Sequence, residues 1–308
     1  MAEIIAKTER WDEGLPLGNG KLGSIVYGSR PLKITVDRTD LWDLRPNKTT
    51  LEEGFNYRNL VKLSTSDNPE DWKERQRLFE DIFMGEPYPS KITAGRVELD
   101  FGVNADEVRY SLDTRAALAS VYCGDQMIAD VFASKSANVG VIRTYRDCKL
   151  ALHVPSYLSG RPGGGSGLDD NSGELSLGYP EAVKKRDGGF YWYEQNTHTD
   201  YSFGIVTYRT HGAIYYALVT TDDARDYIGY GKRLLEKAAA IGCDKLFAAH
   251  KREWRDYRRL SSVRTGDKLI DETYEKSWYL FGSCSAKGGY PMPLQGVWTA
   301  DNDCLPPW

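Results

Sequence analysis

The chain has 308 residues, 41% hydrophobic and 12% aromatic, with a net charge of −4, enough for two domains or one large all-β unit with an appendage and a sizeable core. The charge is mild and mixed, and the longest basic block is Lys184-Lys185-Arg186, so nucleic acid is excluded as an expected partner. No run reaches the ~18 apolar residues of a membrane helix, and the stretch from Met1 to Lys7 has no signal-peptide core, so no membrane partner is expected and the chain reads as cytoplasmic.

In chain order, 24–28 and 32–37 read as strands joined by a short Ser29-Arg30-Pro31 turn. One helix is predicted from Pro69 to about Met84, capped by Asn68 or Asp67. Pro69 sits at its first position, Trp72, Phe79, Ile82 and Phe83 form its apolar side, and Gly85 ends it. Val97, Leu99 and Phe101 then alternate with Glu98 and Asp100, giving a strand with one buried and one wet face. Further strands follow at 107–112, 116–122, 126–133, 139–145, 149–154, 190–195, 202–209 and 212–220, with a hairpin signal at Cys123-Gly124-Asp125-Gln126. The glycine-rich stretch 159–167 reads as a flexible excursion.

From Asp226 the pattern becomes helical: 227–241 ended by Gly242, 244–260 with Phe247, His250, Trp254 and Tyr257 on one face, and 268–286. The fold class is therefore mainly β, a large antiparallel β-sandwich followed by linker helices, with divisions expected at 1–225, 226–262 and 263–308. Three helices with one apolar side each do not close a bundle, so more structure is expected beyond Trp308.

The chemistry-bearing residues are few. Cys123, Cys148, Cys243, Cys284 and Cys304 form no CxxC pair and read as reduced thiols. Four isolated histidines suit structural or solvated roles, so neither a metal site nor a His-driven triad is expected, and no cofactor. Gly18-Asn19-Gly20-Lys21-Leu22-Gly23 matches GxGxxG, but a strand follows it where a dinucleotide site needs a helix. Asp100-Phe101-Gly102 spells DFG with no preceding His-Arg-Asp, which excludes a kinase. The stretch from Pro293 to Trp308 is richer, crowding Gln295, Trp298, Asp301, Asn302, Asp303 and Trp308 around Gly296 and Pro306-Pro307. Carboxylates and amides between indoles suit a sugar, with hydrogen bonds to hydroxyls and an apolar face against the ring.

Three stretches carry a family resemblance. Trp11-Asp12-Glu13-Gly14-Leu15-Pro16-Leu17-Gly18-Asn19-Gly20-Lys21-Leu22-Gly23 leads to Val36-Asp37-Arg38-Thr39-Asp40-Leu41-Trp42. Next come Leu112-Asp113-Thr114 and Asp130-Val131-Phe132-Ala133-Ser134. Tyr279-Leu280-Phe281-Gly282-Ser283, Leu294-Gln295-Gly296-Val297-Trp298 and Pro306-Pro307-Trp308 complete the set. In this order they resemble the N-terminal part of glycoside hydrolase family 95, which includes bacterial α-L-fucosidases.

The resemblance implies a β-sandwich, a helical linker, an (α/α)6 toroid holding the active site and a C-terminal β domain. The last helix here would be the first of an incomplete toroid. It implies inverting cleavage of α-linked terminal sugars, fucosidase- or galactosidase-like, in an oligosaccharide or glycoside. The family's base apparatus and acid follow the Pro-Pro-Trp segment, so no catalytic residue is assigned and no turnover is expected of these 308 residues. By position in that pattern, Trp298, Asp301, Asn302 and Trp308 are candidate substrate contacts. The structural alternative packs Trp298 in a core and leaves Asp301 and Asp303 as loop carboxylates. Asn19 and Trp42 suit turn and core roles, or a place near the pocket mouth. Asp37-Arg38-Thr39-Asp40, where the fucosidases carry NEDT, and Thr299-Ala300-Asp301-Asn302 after Trp298 depart from the fucosidase wording and point to a sibling acting on another sugar. The rival reading is a non-catalytic carbohydrate-binding sandwich, which would end near Ala224.

Overall fold

The computed structural model describes residues 3–5, 8–82, 89–160 and 176–301. Its strands are β1 (Glu3–Ile5), β2 (Leu15–Gly18), β3 (Leu22–Tyr27), β4 (Leu32–Arg38), β5 (Trp42–Asp43), β6 (Ser90–Lys91), β7 (Gly95–Asp100), β8 (Val108–Asp113), β9 (Leu118–Cys123), β10 (Gln126–Ala133), β11 (Gly140–Thr144), β12 (Lys149–His153), β13 (Val183–Asp187), β14 (Phe190–Asn196), β15 (Ser202–Thr210) and β16 (Ala213–Thr220). The helices are α1 (Tyr57–Ser64), α2 (Pro69–Arg75), α3 (Tyr227–Ile241), α4 (Cys243–Arg258) and α5 (Lys268–Cys284).

The chain divides into two compact units. The first holds residues 1–41, 93–155 and 179–301. Within it β1-β8-β9-β10-β11-β16-β15-β14-β13 make a nine-stranded sheet and β12-β7-β4-β3-β2 a five-stranded one. Every pairing is antiparallel, the longest running from Phe203 opposite Thr220 to Thr210 opposite Ala213. The two sheets form the expected sandwich. Alternation is what makes it: Val97 and Leu99 point inward between the half-buried Arg96, Glu98 and Asp100.

β16 is buried along its whole length because both its faces are covered. Tyr216 faces the smaller sheet, its hydroxyl 2.8 Å from Ser24 Oγ and its ring over Gly140, the residue opposite it on β11. Tyr215, Ala217 and Val219 on the other face form a second core with Val141, Val206, Leu235, Ala238 and Leu246. α3 can lie this close because Gly231 presents only a hydrogen to Val206 and Val219; a Cβ there would sit 3.0 Å from Val206 Cγ2. The helices are thus continuous with the sandwich in one compact unit. A sheet apolar on both faces needs a cover on each.

Among the described residues, the second unit comprises 42–82, 89–92, 156–160 and 176–178. β5 pairs with β6, and the Arg45 guanidinium grips Asp43 and donates to Leu177 O at 3.0 Å. Phe55 and Phe79 stack with centroids 5.1 Å apart. The single helix expected from Pro69 is different here. Asn68 caps it and Pro69 stands in its first turn, but it is α-helical only to Arg75 and continues as a π-turn, Gln76–Glu80. Trp72, expected on the apolar side, is exposed and donates its indole N–H to Ser66 O. α1 was not among the expected elements; Asn56 caps it, and its one buried side chain is Leu63. Phe83, Met84 and Gly85 lie outside the described residues, as does the glycine-rich stretch from Arg161.

Candidate functional site

The Gly18–Gly23 segment is the turn of the β2–β3 hairpin. Gly18 pairs with Gly23, and Asn19 holds the turn by accepting the N–H groups of Lys21 and Leu22 at 2.9 and 2.7 Å. The amide of Asn19 donates to Ser134 O at 2.9 Å and Asn138 Oδ1 at 3.2 Å, tying the hairpin to the β10–β11 loop. Gly20 has φ of 95°, a left-handed conformation that only glycine adopts without strain. A glycine-rich turn feeding a strand is therefore what this motif builds.

The glycines also let another element approach. A Cβ on Gly18 would stand 2.4 Å from Ser283 O, and one on Gly23 would overlap Val297 Cγ2 at 1.7 Å. The Gly20 N–H donates to Ser283 O at 2.8 Å, so the hairpin caps the C-terminal end of α5, where carbonyls lack helical partners. Two further bonds run to β2, an edge strand of its sheet. Tyr279 donates its hydroxyl to Pro16 O at 2.6 Å, and the Trp298 indole donates to Leu17 O at 2.8 Å. Edge strands need such cover.

Asp301 completes the attachment. Its side chain is 1% exposed and faces the Arg96 guanidinium at 2.8 Å. Its other oxygen accepts the Tyr27 hydroxyl at 2.5 Å. Burial first, then the neighbouring carboxylate, hold the Tyr27 phenol far above its ordinary pKa, so it stays a donor. Burial alone would lower the Arg96 guanidinium, but Asp301 and Glu98 more than offset it and it stays charged. Of the candidate contacts, the structure brings Trp298 and Asp301 together on this sheet; Asn302 and Trp308 lie outside the described residues. Trp298 is half-buried, whereas Asp301 is buried with both oxygens engaged.

Sequence reasoning missed the partners. Arg96 and Tyr27 sit on strands whose pattern reads as ordinary alternation. Lys135, in the β10–β11 loop, places its ammonium 4.7 Å from the Trp254 ring centre and donates to Gly282 O at 2.7 Å. Burial lowers its pKa to about 8. The Arg38 guanidinium, within the stretch that departs from the fucosidase wording, is buried between Asp40 at 2.7 Å and Asp223, and also donates to Leu218 O at 3.0 Å. Nothing local in the sequence announces these pairings.

The sandwich and its hairpin have a counterpart among known proteins. The model of the glycosyl hydrolase family 65 N-terminal domain matches residues 5–227. The chain belongs to this family. A solved structure assigned as a kojibiose phosphorylase, from the human microbiome, shares the fold with a TM-score of 0.51 and 9% identity over 91% of this chain and 43% of that one. This family 65 chain thus spans 43% of the length of that neighbour. No curated protein sequence matches it. Within the family domain fall the hairpin, Arg96 and Lys135; α4, α5 and the segment to Asp301 follow it. No helix among the described residues is long and apolar enough to cross a membrane.

Proposed function

We propose that this chain forms the N-terminal sandwich and the substrate-facing entrance segment of an enzyme that cleaves α-linked terminal sugars. Its match to the family 65 N-terminal domain carries the reading. The docking supports it: the two stretches that most resemble family 95, 281 positions apart at Leu17 and Trp298, meet through a hydrogen bond. In this reading cleavage is inverting, and α-fucosides and α-galactosides are the first substrate class. Kojibiose with phosphate is the second, from the name of the structural neighbour. The divisions near 225 and 262 mark where sandwich passes to linker helices and then to the first helix of a toroid. Trp298, half-buried beside β2, is the side chain that would stack on a sugar face. Asp301 acts by positioning, fixing the chain that leads into Asn302 and on to Trp308, the further contacts.

The test is a fluorescence titration of the chain with an α-fucosyl lactose, an α-galactosyl disaccharide and kojibiose. At least one ligand should give a saturable change, and Trp298→Ala should weaken its affinity about tenfold or more. Flat titrations with all three would overturn the reading. Aryl α-fucoside and α-galactoside should release no aglycone with this chain, and release would move the chemistry onto its own residues.

A further inference from the structure

We propose that the second unit carries a saccharide-binding pocket of its own, built on the π-turn Gln76–Glu80. The cavity measures about 390 Å³ and is lined by Asn47, Thr49, Lys73, Gln76, Arg77 and Asp81, with Ile82 as its apolar wall. That volume falls within the roughly 300–1,000 Å³ of small-ligand sites.

The π-turn shapes the wall. The Asp81 N–H bonds back to Gln76 O at 2.8 Å, five residues earlier, so the chain makes a wider turn than the α2 helix it continues. Such turns are rare and concentrate at functional sites. Here the turn supplies Gln76 and Arg77, and Asp81 follows it directly. The opposite wall is rigid: Asn47 is 1% exposed, accepts the Thr49 N–H at 2.9 Å and donates to the Ile82 carbonyl.

Charge selects the ligand. Lys73 is paired with Glu70 at 2.8 Å. Arg77 is paired with Glu52 and with Glu74, both at 2.8 Å. The lining sets Lys73 and Arg77 beside Asp81, and both cations already hold carboxylate partners outside it, so a free phosphate or other anion finds no unpaired positive charge there. Amide, hydroxyl, ammonium and carboxylate groups side by side suit a neutral polyhydroxyl ligand, whose hydroxyls both donate and accept. Identifying that ligand as a saccharide rests on the proposed function above; the pocket and its charge do not.

The experiment is ligand-observed NMR on the chain with the α-fucosyl lactose, the α-galactosyl disaccharide, kojibiose and inorganic phosphate. Gln76→Ala, Asp81→Ala and Trp298→Ala serve as variants, each checked for native folding by circular dichroism. The expected result is saccharide binding that persists in Trp298→Ala, weakens about tenfold in Gln76→Ala and Asp81→Ala, and recovers partly in Asp81→Asn. Preference for phosphate, or binding unchanged in both pocket variants, overturns the proposal. If Trp298→Ala removes all binding, the pocket falls and the entrance-segment reading stands. If only the pocket variants remove binding, the pocket stands and Trp298 loses its role.

Discussion

α3 and α5 are amphipathic helices of nearly equal length in the same unit, yet they join it in opposite ways. α3 lies along the nine-stranded sheet and buries Gly231, Leu235 and Ala238 beneath it. α5 is held at its C-terminal end, where Tyr279, Gly282, Ser283 and Cys284 are buried, while Leu269 and Ile270 near its start are 74% and 53% exposed. One helix is held by area along its length; the other is held at its C-terminal half, by Tyr279 and Trp278 packing on Trp254 and Tyr257 of α4 and by directional bonds from the glycine hairpin to its last turn. Area burial is spread over many residues and tolerates small shifts; a glycine contact at hydrogen-bond range depends on the absence of a single methyl group.

The sharpest break in that comparison is Leu235→Ala, which deletes a fully buried side chain under α3 and should cost about 2–5 kcal/mol. Chemical denaturation should show it as global loss of stability. Acid comes next. His250, on α4, is buried, and its Nε2 meets the Ala116 and Ala117 carbonyls at 3.0 and 3.3 Å. Burial lowers its pKa to about 4. Between about 6.5 and about 4 the unfolded chain therefore takes up a proton that the folded chain refuses, so stability falls as pH drops through that window. The loss should reach about 3 kcal/mol at most, and His250→Gln should flatten it in melts at pH 7 and pH 4.

Gly18→Ala should cost about 1–3 kcal/mol, since the new methyl meets a backbone carbonyl that cannot give way. Its effect should be local: hydrogen exchange should quicken in α5 and leave α3 protected. Equal acceleration in both helices would mean that α5 is as integral to the fold as α3. The smallest effect belongs to Leu269→Ser, within about 0.5 kcal/mol, because the side chain already faces water. That variant should nevertheless aggregate less in light scattering if the apolar face of α5 is the cause, whereas a chain lacking residues 226–308 would uncover the sheet face beneath α3 and aggregate more.

Much of this was legible in the sequence. β7 and β8 show the alternation of their side chains in their burial, and α3 ends at Gly242, whose φ of 87° suits glycine. β13 was not legible, because Val183-Lys184-Lys185-Arg186-Asp187 is exposed throughout and carries no buried face to alternate. Its Lys184 and Arg186 instead donate to the Leu152 and Leu150 carbonyls of β12, a contact between strands far apart in the chain. The candidate site was legible only by half. Trp298 and Asp301 stood out as residue types, while their partners Leu17, Tyr27 and Arg96 did not.

The sequence by itself determined the periods, the caps and the glycines, because these are set by neighbours a few residues away. It also determined the class of the molecule, a β-sandwich with helices following. Only the tertiary structure showed which groups Trp298 and Asp301 bond to. An indole and a carboxylate in sequence can grip a sugar or staple a strand. Which of these holds depends on the donors and acceptors that the fold brings within 3 Å, and a local pattern does not encode them. Here Leu17, Tyr27 and Arg96 reach Trp298 and Asp301 across the sheet, and they turn part of an apparent binding loop into the clasp that fixes it.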